Sequence, residues 1–132
     1  MSVRHASCRC GQLTAECRGE PVRVSVCHCL DCQRRSGSAF SAQARWPAEA
    51  VAVTGDTREV RHRGGSGERA TFRFCPACGC TVAFENDAMP GLIAVPLGAF
   101  ADPGFPPPAF SVYEERRHPW VALTGAAMEH ID

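Results

Sequence analysis

The sequence predicts a mainly β domain of short antiparallel strands organised around metal sites. Short runs of alternating apolar and polar residues recur along the chain, separated by turn-forming residues. No window holds a long run of apolar residues at helical spacing. Nine cysteines occur in 132 residues, and Cys8/Cys10, Cys27/Cys29/Cys32 and Cys75/Cys78 form tight groups. Close spacing lets thiolates from one short turn reach the same ion.

The elements follow in order. Residues 13–17 alternate as Leu-Thr-Ala-Glu-Cys, and Val22, Val24 and Val26 share one face of a strand leading into the middle cysteine group. Residues 30–36 fit about one helical turn and little more. Further strands are predicted at 39–45, 51–54, 59–63, 70–74, 81–85, 92–97 and 110–114. Gly55-Asp56, the 64–67 run, Asn86-Asp87 and Met89-Pro90-Gly91 supply the turns. The five arginines Arg58, Arg61, Arg63, Arg69 and Arg73 read as the solvated face of a hairpin. Phe105-Pro106-Pro107-Pro108 must be an extended surface loop, because successive prolines remove backbone donors. Trp46, Phe72, Phe74, Phe84 and Trp120 read as core or rim aromatics. These elements make one domain at 1–123 and a loosely held C-terminal tail at 124–132.

Charge and targeting narrow the function. Fourteen arginines balance fourteen acids, with no lysine, giving a net charge of zero. A general nucleic-acid binder needs an excess of positive charge to displace counterions, so nucleic acid is excluded as partner. The N-terminus lacks the apolar core of a signal peptide and no stretch reaches transmembrane length, which predicts a cytoplasmic protein without a membrane partner. In a reducing compartment the cysteines are free thiols or metal ligands, not a disulfide scaffold.

The thiols divide as four plus three. Cys8-Arg9-Cys10-Gly11 and Cys75-Pro76-Ala77-Cys78-Gly79 each place a glycine after the last thiol. That glycine permits the left-handed turn that folds backbone around an ion. Paired, Cys8, Cys10, Cys75 and Cys78 complete a tetrahedral zinc site and close a long loop. A thioredoxin-like redox pair would need its first thiol at a helix N-terminus, and strand-like residues flank Cys75 and Cys78 instead. Cys27, Cys29 and Cys32 supply only three sulfurs from one turn. That predicts a second zinc with an open position, the pattern of a catalytic site. An incoming thiol held there as thiolate can attack a small carbonyl. The alternative is a non-catalytic binding module in which His28, Cys17 or Cys80 closes the second site. His28 lies between two ligands, so its side chain should point away from them.

With these residues in place, the chain resembles the glutathione-dependent formaldehyde-activating family from Cys8 through Trp120. The resemblance rests on Cys8-x-Cys10-Gly11, Cys27-His28-Cys29-x-x-Cys32-x-Arg34, Ser36-Gly37, Phe74-Cys75-x-x-Cys78-Gly79 and Pro119-Trp120. It implies a β-tent fold with two zinc ions per chain, structural at Cys8, Cys10, Cys75 and Cys78 and catalytic at Cys27, Cys29 and Cys32. It also implies a carbon–sulfur lyase resembling S-(hydroxymethyl)glutathione synthase, with glutathione and formaldehyde as thiol and aldehyde partners. Arg34 and Arg35, directly after the three-cysteine group, are the expected contacts for the glutathione carboxylates. Asp31 reads as a turn-capping acid or a proton acceptor. There are two departures from the family pattern: Ser111-Val112 stands where a histidine–isoleucine pair is common, and Cys80 where threonine is.

Overall fold

The computed structural model describes residues 2–65, 67–125 and 127–132. Among the described residues, eleven short strands build two sheets. The smaller sheet holds β1 (Val3–Ser7), β2 (Thr14–Arg18) and β5 (Val51–Thr54) in the order β1-β2-β5, all antiparallel. The larger contains β3 (Arg23–Cys27), β4 (Ser41–Pro47), β6 (Arg58–Arg63), β7 (Arg69–Phe74), β8 (Thr81–Asn86), β9 (Leu92–Pro96), β10 (Phe110–Val112) and β11 (Glu129–His130). Its order is β11-β10-β3-β4-β9-β8-β7-β6. Most ladders are antiparallel, while β10 runs parallel to both β3 and β11.

The core explains the strand patterns. Ala6, Leu13, Ala15 and Cys17 from the smaller sheet meet Val24, Ala44, Trp46, Val82, Ile93 and Val95 from the larger one. Trp46 is fully buried, donates its indole N–H to Gly19 O at 3.0 Å and packs against Phe100 and Phe105. Phe105, at the head of the proline run, thus anchors that loop inward, and the Arg4 guanidinium caps its ring. Period-two alternation then decides the other face of the larger sheet. On β3 it carries Arg23, Ser25 and Cys27, and on β4 Ser41, Gln43 and Arg45, two strands paired so that Arg23 faces Arg45 and Cys27 faces Ser41.

The single α-helix among the described residues, α1 (Leu30–Ser36), starts at Cys29, whose sulfur accepts the Cys32 amide, and ends at Gly37 with φ 71°. The β6–β7 hairpin is solvent-facing along β6, as its arginines predict. Its turn is closed by Gly64 N donating to Glu68 O; Ser66 of the expected turn lies outside the described residues. Two expectations are corrected. The C-terminal segment is not loose: Glu129 N donates to Ala109 O and Ile131 N to Ser111 O, adding β11 as an edge strand, although Ala126 lies outside the described residues. Trp120 is no core residue, being 73% exposed with its ring edge-on to His118.

Candidate functional site

Two hairpin-like turns bring together the first cysteine group, which could hold a metal ion. Gly11 N donates to Cys8 O and Gly79 N to Cys75 O, and both glycines sit at positive φ, 88° and 80°. The sulfurs of Cys8, Cys10, Cys75 and Cys78 all lie within 4.8 Å of one another. Zinc–sulfur bonds of about 2.3 Å imply tetrahedral sulfur–sulfur edges of about 3.8 Å. The observed Cys8–Cys10 and Cys10–Cys75 separations are 3.6 and 3.7 Å. Donors already aim at the sulfurs: Leu13 N at Cys8, and Ala77 N, Cys78 N and Gln12 Nε2 at Cys75. Backbone amides of Cys80 and Cys10 push the Cys78 thiol down to about 5. The Gln12 amide lowers Cys10, but hydrogen bonds with Cys8 and Cys75 outweigh it and push that thiol up to about 12. Sulfurs held this close share protons that a divalent ion can replace.

The second group sits where β3 hands over to α1. Cys27 ends the strand, Cys29 caps the helix and Cys32 lies in its first turn, with all three sulfurs within 4.8 Å of one another. Hydrogen bonding to Cys27 pushes Cys32 down to about 5, while that bond and burial push Cys27 up. Among the described residues no fourth His, Cys, Asp or Glu joins this group. His28 points away, fully buried, with Nε2 2.9 Å from Ser111 Oγ and its ring 5.9 Å from Phe40. Cys17 and Cys80 belong to neither group. All nine cysteines are free thiols.

The three-cysteine group opens on a cavity of about 790 Å³. The Arg35 guanidinium lies 4.9 Å from each of the Phe72 and Phe84 ring centres on its wall, and Arg34 also lines it. Asp31 is engaged: Oδ2 accepts Gly65 N at 2.7 Å and Oδ1 lies 3.7 Å from His62 Nε2, so it ties α1 to the β6–β7 turn. Gln33 fixes the other side of the helix, donating to His28 O and Arg116 O. Tyr113 lines the cavity at φ 56°, a left-handed conformation that costs a non-glycine residue about 1–2 kcal/mol.

The structure therefore brings Cys27, Cys29, Cys32, Arg34 and Arg35 to one cavity and gathers Cys8, Cys10, Cys75 and Cys78 elsewhere. Sequence reasoning missed Arg23, Gln43, Arg45 and Tyr113 on the cavity wall. A signal existed for three of them. The polar residues alternate with Val24, Val26, Ala44 and Trp46, which marks a second, polar face of the same strands. Phe40 and Trp46 do not line it.

A family model described as glutathione-dependent formaldehyde-activating enzyme matches residues 3–116. Among solved structures, the chain is similar to a Rhodobacter sphaeroides protein with a TM-score of 0.56 and 21% identity, over 78% of this chain and 91% of that one. At that identity the likeness speaks for the fold alone. No curated protein matches the chain.

Proposed function

The chain belongs to the glutathione-dependent formaldehyde-activating family, and from that premise we propose that it is a two-zinc enzyme of carbon–sulfur chemistry. In this reading Cys8, Cys10, Cys75 and Cys78 hold a structural zinc, and Cys27, Cys29 and Cys32 hold the reactive one. Residues 1–123 form the zinc-binding domain, followed by the C-terminal tail 124–132, and a reducing, cytoplasmic setting keeps the thiols available. An all-sulfur donor set favours zinc among the common divalent ions. The observation that carries the reading is the asymmetry of the two groups. One has a complete set of four sulfurs; the other has three and faces the cavity.

The proposed reaction joins a glutathione-like thiol to a small aldehyde such as formaldehyde. The thiol sulfur bonds to the carbonyl carbon, the carbon–oxygen π bond opens, and the thiol proton ends on the oxygen as a hydroxyl. Zinc at the three-cysteine group would supply the Lewis acidity that keeps an incoming thiol deprotonated near neutral pH. The protein's own side chains do the rest. Cys27, Cys29 and Cys32 present sulfur from one side only, because strand end, cap and helical turn are consecutive. Arg34 and Arg35 supply positive charge for an anionic thiol compound, and Arg35 is held in place by the rings of Phe72 and Phe84. Asp31 and Gln33 position α1.

X-ray absorption at the zinc edge tests this directly. Protein loaded with two zincs should average seven protein sulfurs per pair and gain one more when glutathione is added. No added sulfur, or one zinc per chain, would sink the reading. Cys32→Ser should lose one zinc and the activity while remaining folded. A non-catalytic module with two closed sites would instead show no sulfur gain and unfold on that substitution.

A further inference from the structure

The cavity beside the three-cysteine group is far larger than a one-carbon aldehyde requires. Part of its wall is the polar face of β3 and β4, where Arg23 and Arg45 stand directly across the ladder from each other. Like charges in that position repel, and Arg45 is only 7% exposed. Among the described residues no carboxylate lies within 4.0 Å of either guanidinium. Asp31, the cavity acid nearest in sequence to the cysteines, is already held by Gly65 N and His62.

The hydrogen-bond partners of Arg45 are neutral, and the anionic groups that act on it are the Cys27 and Cys32 sulfurs. Arg45 Nη1 donates to Ser25 Oγ at 3.2 Å, and Gln43 Nε2 donates to the same oxygen at 3.2 Å. Ser41 Oγ donates in turn to Gln43 Oε1 at 2.8 Å, so a buried polar chain fixes the Arg45 fork without neutralising it. The Arg23 guanidinium lies 4.1 Å from the Phe110 ring centre, and its buried Nε has no partner among the described residues. Burial, and secondly the charge of Arg23, hold the Arg45 guanidinium below the ordinary arginine pKa. Arg45 is buried and Arg23 partly so, and two neighbouring positive forks without a paired carboxylate favour an incoming anion.

We propose that Arg23 and Arg45 form a carboxylate-binding subsite, a second recognition pair for the thiol compound whose sulfur reaches the Cys27, Cys29, Cys32 group. The proposal rests on the reading of that group as the reactive centre. It adds a recognition pair distinct from Arg34 and Arg35. Carboxylate is favoured because two planar guanidinium forks on adjacent strands match a planar anion bidentately.

The test is calorimetric titration of the zinc-loaded protein with S-methylglutathione, its dimethyl ester, succinate and inorganic phosphate. S-methylglutathione has no free thiol for a metal, so its binding reads the anion subsite apart from the zinc chemistry. It should bind, and its Kd should rise at least tenfold on esterification and in both Arg23→Gln and Arg45→Met. Arg45→Lys should fall between, keeping charge but losing the fork. The thermal midpoint of unliganded Arg45→Met should be unchanged or raised, because a repelled buried charge has been removed. The proposal is overturned if both arginine variants bind within twofold of the wild type. It is equally overturned if neither S-methylglutathione nor succinate binds the wild type at millimolar concentration, if phosphate alone binds through these arginines, or if Arg45→Met unfolds the protein and Arg23→Gln leaves binding intact.

Discussion

Ser111 has one hydroxyl proton and two partners. It donates to Glu114 Oε2 at 2.6 Å, so the contact with His28 Nε2 at 2.9 Å must be one in which the histidine donates. That sets the imidazole tautomer with its proton on Nε2 and leaves the buried Nδ1 as a bare acceptor, without a partner among the described residues. Glu114 Oε2 also receives His130 Nδ1 at 2.7 Å, which extends the chain to the C-terminal strand. The serine thus serves as the acceptor for the neighbouring His28. Ser111→Ala would strand a buried N–H. The expected cost is about 1–3 kcal/mol, measured as a fall in the urea midpoint at unchanged slope. An unaltered midpoint would mean the hydroxyl does not carry His28.

At the scale of elements, the two glycine turns depend on a third. Gly55, between β5 and β6, has φ 117°, and a Cβ there would lie 2.1 Å from Gln12 O. Gln12 is the residue whose amide donates to Cys75 Sγ at 3.0 Å and clasps Asp56 through both N–H and C=O. Gly55→Ala must therefore displace the first cysteine turn without touching a ligand. The expected loss is more than about 2 kcal/mol of stability. Zinc affinity at the four-cysteine group should weaken as well, read by competition with a chromogenic chelator. A stability loss with unchanged affinity would show that Gln12 does not transmit the strain. The β3–β4 pair shows the same dependence of site on element. Its register places Cys27 against Ser41 and Arg23 against Arg45, and a slip of β3 by one residue would turn Arg23 and Cys27 into the core.

For the molecule as a whole, the zinc proposed at the four-cysteine group would crosslink distant parts. Cys10 and Cys75 are 65 residues apart in sequence, and their turns belong to different sheets. Closing a loop of that length restricts the unfolded chain by about 4 kcal/mol on the chain-entropy estimate. Stripping metal with a strong chelator should therefore lower the thermal midpoint by more than about 10 °C. Cys78→Ser should reproduce most of that fall, and Cys32→Ser should not. Equal effects of the two substitutions would remove the distinction between a stapling centre and a reactive one. No helix among the described residues is long and apolar enough to cross a membrane.

Much of this was written in the chain. The strand positions follow from local alternation, because each short run buries one face: 51–54 was placed to the residue, and 13–17 and 70–74 within one. The division of cysteines also follows from local spacing, since ligands from one turn must be neighbours in sequence, and the positive φ of Gly11 and Gly79 was demanded by those turns. Strands β1 and β11 escaped because neither has a turn-bounded apolar run of its own; they exist through pairing with β2 and β10. The sequence by itself thus determined the fold class and which thiols cluster. Only the tertiary structure decided what stands around the open centre. Arg23 and Arg45 become neighbours through antiparallel register, and Ser111 reaches His28 through a parallel ladder. Such contacts join residues far apart in the chain, and no local periodicity encodes them.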